Sequence, residues 1–161
     1  ANNYGNLCQR VFSFIKKNCG NKIPKSKNLD ISDKKLLDNL KNNIPKLINL
    51  MNNQELNEYI KIVVSFSFDA NKYFNDSEPW SVKKKDPERM QTILFTIVQQ
   101  IKNISILLNP IIPNATNKVL SIINFSSKNI KIDKINDDNC LNHDKQLHNL
   151  EILFNKIEND N

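Results

Sequence analysis

The sequence predicts an all-α protein: a bundle of about five helices over residues 1–125, followed by a polar tail over 126–161. Three observations carry this reading. Apolar residues recur at three- and four-residue spacing through most of the chain, the period of one helical face. Only two glycines occur in 161 residues, too few for a sheet built on tight hairpins or for a glycine-rich phosphate loop. The breaks fall at helix punctuation, among them Cys19-Gly20, Asp86-Pro87 and Asn109-Pro110.

The first helix is read over Asn2–Asn18, with Leu7, Val11, Phe14 and Ile15 on its apolar stripe. "NKIPKSKNLDIS" is a loop leading to a cap at Ser32. The second helix carries Leu36, Leu37, Leu40, Ile44, Leu47, Ile48 and Met51. Pro45 lacks an N–H and crowds the preceding turn, which predicts a kink or a break there. A third helix starts near Gln54, with Leu56, Tyr59, Ile60, Val63, Val64, Phe66, Phe68, Ala70 and Tyr73 as its apolar positions, and ends at "NDSEPW". The stretch around Trp80 reads as a polar connection between helices. Asp86 as cap and Pro87 at the first helical position open a long fourth helix to Leu108. A short fifth begins near Pro113. Beyond Ser126, "NIKID" suits an extended segment and "KQLHNLEILFNKIE" a helix or a hooked end.

The length suits one domain with a real core. A net charge of +6 and a pI near 9.2 favour polyanionic partners. Nearly all of that charge is lysine, Arg10 and Arg89 being the only arginines. Arginine offers a planar bidentate fork and lysine a point charge, so a retained arginine in a lysine-rich chain marks a position of interest. Cys8, Cys19 and Cys140 are odd in number and scattered, the usage of reduced thiols in a cytoplasmic protein. No signal peptide opens the chain, and no apolar run of about 18 residues suits a membrane span. The opening "ANNYGNLCQRVF" is already helical in period and lacks an initiator Met, as expected of a piece of a longer polypeptide.

The residues point to binding and not to catalysis. The chain has no HExxH, no CxxC pair and no convincing Ser/His/Asp order. His143 and His148 lie beside Cys140 and Asp144, but a closed zinc site needs four ligands on a compact scaffold, and no metal is assigned. Asn2, Asn6 and Arg10 fall at i, i+4 and i+8 and form one polar row. Such a row is either a solvated helix face or a set of base-edge readers, since both residue types offer paired, directional hydrogen-bonding groups. Trp80, the only tryptophan, either folds back to cap the core or is held out by Pro79 as a stacking platform for an unpaired base. Lys83, Lys84 and Lys85 follow it and could meet phosphates.

Taken together, these stretches resemble one family. "YGNLCQRVFSFI", with its Gly-Asn-Leu and an arginine four residues after the asparagine, is similar to the first helix of the anticodon-binding domain of bacterial-type methionyl–tRNA synthetases. "DANKYFNDSEPWSVKKKD" resembles that family's Asp-Ala-Asn-Lys-Tyr segment with its Pro-Trp, "ILLNPIIPNATNKVL" its helix break and restart, and "LFNKIE" its closing tail. The resemblance implies a class I synthetase helical bundle that grips the CAU anticodon of methionine tRNA. It implies that Trp80 stacks on the first anticodon base, that Asn6 and Arg10 read bases, and that Asn2 contributes from one turn earlier. It also implies an upstream catalytic domain of the same chain, in a cytoplasmic parent enzyme that joins methionine to its tRNA with ATP and Mg²⁺. The present residues alone would need no cofactor and have no ligase activity. The first helix and residues 146–161 are expected to face that domain. Glu78 and Asn155 depart from the pattern, where the family often has alanine and proline. Two other readings stand beside this one: the anticodon domain of a different class I synthetase, and a helical protein-interaction module docking through Trp80 and the lysines.

Overall fold

The computed structural model describes residues 2–26 and 28–150, apart from the side chains of Asn2 and Asp138. Among these residues the chain is all-α. Seven helices follow in order: α1 (Asn2–Asn18), α2 (Ile31–Asn42), α3 (Ile44–Asn52), α4 (Leu56–Ser77), α5 (Pro79–Lys85), α6 (Pro87–Leu108) and α7 (Pro113–Ile122). Short 3-10 turns follow at Ser127–Asn129, Ile132–Lys134 and Asp138–Cys140. None of the described helices is long and apolar enough to cross a membrane.

Two differences raise the expected five helices to seven. Pro45 breaks the predicted second helix completely, and Asn43 closes α2 while opening α3. The supposed connection around Trp80 is itself a helix, α5. Glu78 alone joins it to α4, in the left-handed region at φ +45°, and caps both helices. Pro79 then takes the first helical position, where its missing N–H costs nothing.

The core is organised around α6, which is buried on almost every side from Met90 to Leu108. A helix apolar all round belongs at the centre of a bundle. α1 contributes Leu7, Val11, Phe12 and Ile15 to the same core, and α4 contributes Tyr59, Val63, Phe66, Ala70 and Phe74. The polar side chains that α6 buries find partners. Ser105 pairs with the Tyr4 hydroxyl at 2.5 Å, and Thr96 donates back to the Thr92 carbonyl at 2.8 Å. Phe68, Leu56 and Ile48, read as apolar positions of their helices, are exposed. Phe66 takes the inward position on α4, and at about 100° per residue Phe68 lies far round the helix from it.

α2 begins two residues earlier than Ser32 suggested. Asp30 is the N-cap, in a capping box with Asp33, and Ser32 only donates to the Asp30 carboxylate, at 2.6 Å. Asp33 is wholly buried and carries the main inter-helix joint. Its carboxylate accepts Arg89 Nη1 and Nη2 of α6 at 2.6 and 2.9 Å, the Tyr73 hydroxyl of α4 at 2.5 Å and the Asp30 N–H at 3.0 Å. Burial and the bond to Asp33 raise the Tyr73 hydroxyl far above its ordinary range. The Asp33 hydrogen bond in turn holds the Arg89 guanidinium above its own.

Beyond α7 the chain closes over the bundle. Ile135, Leu141, Leu147 and Leu150 join the core. The expected extended segment at "NIKID" is met only at Lys131, which is extended between two 3-10 turns, and the stretch is tied down from α6. The buried Lys102 donates to the Lys134 and Asp137 carbonyls at 2.7 and 3.3 Å. Asn103 and Asn136 bond reciprocally: Asn103 Nδ2 donates to the Asn136 side chain at 2.7 Å, and the Asn136 N–H donates to Asn103 Oδ1 at 3.1 Å. The second bond fixes Asn136 in the left-handed conformation at φ +58°. Residues 151–161, with Asn155 and most of the expected terminal helix, lie outside the described residues. The three cysteines are free, and burial raises the Cys19 thiol to about 11.

Two outcomes test this packing. Arg89→Met leaves the buried Asp33 charge without its partner and should cost about 3 kcal/mol in chemical denaturation, the low end for broken buried pairs because Arg89 is partly solvated. Asn103→Ala should speed amide exchange at residues 134–140 while leaving protection of α1 and α4 unchanged.

Candidate nucleic-acid interface

The row predicted on α1 is real in its backbone. Asn6 and Arg10 are both exposed on one side of the helix, while Leu7, Cys8 and Val11 turn into the core. Asn2 is the first residue of α1, and its side chain lies outside the described residues. α1 contains no acidic residue, and Lys16 and Lys17 close it.

Arg10 does not extend loosely into solvent. Its Nη2 donates to Asn75 Oδ1 at 2.5 Å, and its Nη1 lies 3.4 Å from Asn71 Oδ1. The guanidinium carbon sits 5.2 Å from the centre of the Phe74 ring, in cation–π range. Asn71 is fixed by α1 as well: its Nδ2 donates to Asn3 Oδ1 at 2.6 Å and to the Asn3 carbonyl at 3.2 Å. Phe74, Asn71 and Asn75 therefore belong to the site although the sequence reading did not single them out. Their signal is the pair of asparagines one turn apart in "DANKYFND", which a chain so rich in asparagine conceals.

Trp80 reaches the same place from the other side. Its indole meets the Phe74 ring edge-on, with centroids 5.7 Å apart and planes at 73°, and it remains 40% exposed. The side chain is neither fully buried nor fully free. One edge caps the aromatic core through Phe74, which also packs edge-on against Phe14 at 6.3 Å, and the rest faces solvent. The carrier is a helix and not a stiffened loop. Pro79 is buried at its start, so the indole projects from a fixed first turn.

The three lysines divide. Lys83 is half-buried and donates to Asn18 Oδ1 at 2.9 Å, which pins α5 to the end of α1. Lys84 and Lys85 are exposed, Lys84 one turn beyond Trp80. Glu78, at the hinge beneath Trp80, is exposed too. Arg89, the second arginine, lies in the Asp33 joint and takes no part here. His143 is likewise structural: its Nδ1 pairs with the Ile23 carbonyl at 2.9 Å and its ring stacks on Phe95. Among the described residues no three His, Cys, Asp or Glu side chains gather as metal ligands.

The surface so built carries a cationic fork held by two amides and a part-exposed indole, both against one aromatic ring, with the exposed amide of Asn6 one turn before Arg10 on α1. This set can hydrogen-bond base edges and stack an unpaired base.

Known proteins resemble this chain over most of its length. The family model described as the anticodon binding domain of methionyl tRNA ligase matches residues 23–161. A methionine–tRNA ligase of Brucella suis biovar 1 is 34% identical over 123 residues, 76% of this chain and 24% of that protein. One from Rickettsia felis is 30% identical over 164 residues, 99% of this chain and 32% of that protein, and so takes in α1. The chain thus spans about a quarter to a third of the length of these relatives. In fold it matches the free-state Mycobacterium tuberculosis methionyl-tRNA synthetase with a TM-score of 0.84 at 23% identity, over 92% of this chain and 30% of that one. By the extent of the family match, this chain belongs to the anticodon-binding domains of the methionyl tRNA ligases.

Proposed function

We propose that the chain reads the CAU anticodon of methionine tRNA, as part of a longer cytoplasmic ligase that attaches methionine to that tRNA using ATP and Mg²⁺. The nucleotide chemistry belongs to a catalytic domain elsewhere in the same polypeptide. The present residues supply recognition. Trp80 stacks on the first anticodon base, Arg10 and Asn6 hydrogen-bond base edges with Asn2 one turn earlier, and Lys84 and Lys85 meet backbone phosphates. Lys83 and Pro79 support by holding α5 in place. α1 and residues 146–161 face the catalytic domain and carry the signal that the anticodon is bound.

One observation carries the reading: Arg10 and Trp80 converge on Phe74 from different helices. A solvated arginine needs no aromatic seat, and a tryptophan that only sealed the core would not leave 40% of its surface in water. The family match sets aside a different class I synthetase. A protein-interaction module remains as an outcome of the test.

Trp80 is the only indole and so reports on its own site. An anticodon stem-loop bearing CAU should quench its fluorescence, and a loop with the first anticodon base changed should bind far more weakly. Arg10→Ala should lower affinity for CAU about tenfold or more and narrow the gap between the loops, since a bidentate base contact supplies about 1–3 kcal/mol of discrimination. Equal, salt-sensitive binding of both loops would leave only a basic surface, and no RNA binding at all would favour a protein partner. Phe74→Leu should move the Trp80 emission to longer wavelength and weaken CAU binding about fivefold, because it removes the ring that both readers share.

A further inference from the structure

Phe68 is the most exposed aromatic side chain among the described residues, at 61%, while Phe12, Phe66, Phe74, Phe95 and Phe125 are buried. Its position on α4 is informative. Phe68 and Asn75 are seven residues apart, so they lie nearly in line along the helix and about 10.5 Å apart. Asn71 lies between them on the same side, and these are the two asparagines that hold Arg10. Asn71 also bonds Asn3 near the start of α1, so the polar row leads away from Trp80 toward Phe68.

The strip around Phe68 has the composition of a nucleic-acid surface. Lys61, Ser65, Asn71, Lys72 and Asn75 share its side of α4, and the exposed carboxylates Glu58 and Asp69 lie at its margins, Asp69 beside Asn39 at 3.5 Å. Asp76, beside the strip, is paired to Lys72 at 2.7 Å. An exposed aromatic between lysines and asparagines suits a nucleobase, whose face it can stack, better than an apolar protein surface. It also continues a row whose other end is already a stacking residue.

We infer that Phe68 is a second stacking platform, which takes another unpaired base of the RNA loop whose first anticodon base rests on Trp80. This rests on the anticodon reading above. Trp80 and Phe68 then bracket the row, so the bases between them are held splayed, with their edges toward Arg10 and Asn6.

The test uses the 161-residue chain and the CAU stem-loop, with Trp80 quenching as the readout. Phe68→Ala should leave the thermal midpoint unchanged, because the ring is exposed, and weaken CAU binding about tenfold while keeping the quenching at saturation. Phe68→Tyr should restore affinity and Phe68→Leu should not, since a face and not mere apolar area is required. With 2-aminopurine in place of the central anticodon base or the base after it, one position should be quenched on binding to the parent chain and recover in Phe68→Ala. Parental affinity in Phe68→Ala, or full rescue by leucine, would overturn the inference. The anticodon reading fails separately, if the parent chain does not distinguish CAU from the changed loop.

Discussion

The bundle depends on a single buried carboxylate. Asp33 accepts from α6 through Arg89, from α4 through Tyr73 and from its own cap through the Asp30 N–H. Three helices are thereby fixed at one end of the molecule. A buried charge is not stabilising in itself, because desolvation offsets much of the Coulomb gain, and an apolar replacement of similar shape often does as well. Its effect is on register. The bidentate fork and the hydroxyl reach the carboxylate in one arrangement only, so α4 cannot rotate or slide relative to α6 without leaving Asp33 unpaired. That constraint matters within one turn of Tyr73, where Asn71, Phe74 and Asn75 must meet α1. A rotation of one residue, about 100°, would turn Phe74 away from Arg10.

The turn from α4 into α5 depends on the same frame. Glu78 occupies a left-handed conformation that costs a non-glycine residue about 1–2 kcal/mol. Such a conformation persists where the surroundings over-determine it. Here α4 is held by Tyr73 before the turn and α5 by Lys83 after it, the latter bonded to Asn18 of α1. The reward is position: a one-residue hinge lets the tryptophan double back onto Phe74, three residues ahead of the end of α4. A longer connection would place an indole near the site without fixing the angle of its ring.

Most helices were legible because one apolar face recurs at helical spacing, and Pro45, Asp86-Pro87 and Asn109-Pro110 mark their ends by steric rules that need no tertiary context. α5 was not legible. Seven residues beginning with proline and ending in three lysines carry no apolar period, and its existence rests on Glu78 and Lys83. Asp33 was hidden for a different reason: an acidic residue in a first turn is ordinary on helix-dipole grounds, and only the fold brings Arg89 to it across 56 positions. Phe68 misled because Val64 and Phe68 also recur at helical spacing. Pattern alone cannot rank two apolar faces of one helix, and packing against α6 chose the one with Phe66. Within the candidate site, Asn6, Arg10 and Trp80 stood out by residue chemistry, whereas Asn71 and Asn75 were lost among the many asparagines.

The two arginines show how partners divide one side chain between structure and recognition. Arg89 faces two carboxylates, Asp33 at 2.6 Å and Asp30 at 3.1 Å, so its charge is neutralised where it lies and its fork is filled. Arg10 faces two amide oxygens and the face of a phenyl ring, partners that orient a cation without cancelling it. Orientation without neutralisation is what a reader of polyanions requires. In the proposed role the guanidinium would be held before an RNA arrived, so less rotamer entropy would be lost on binding, and its full charge would stay available to base edges and phosphates. A carboxylate at position 75 would hold the fork more tightly, and it would set a competing anion on the surface proposed for RNA. Neutral asparagines at positions 71 and 75 are therefore a condition for the proposed reading of bases by Arg10, and residues of the neighbouring helix α4 set what the row on α1 can do.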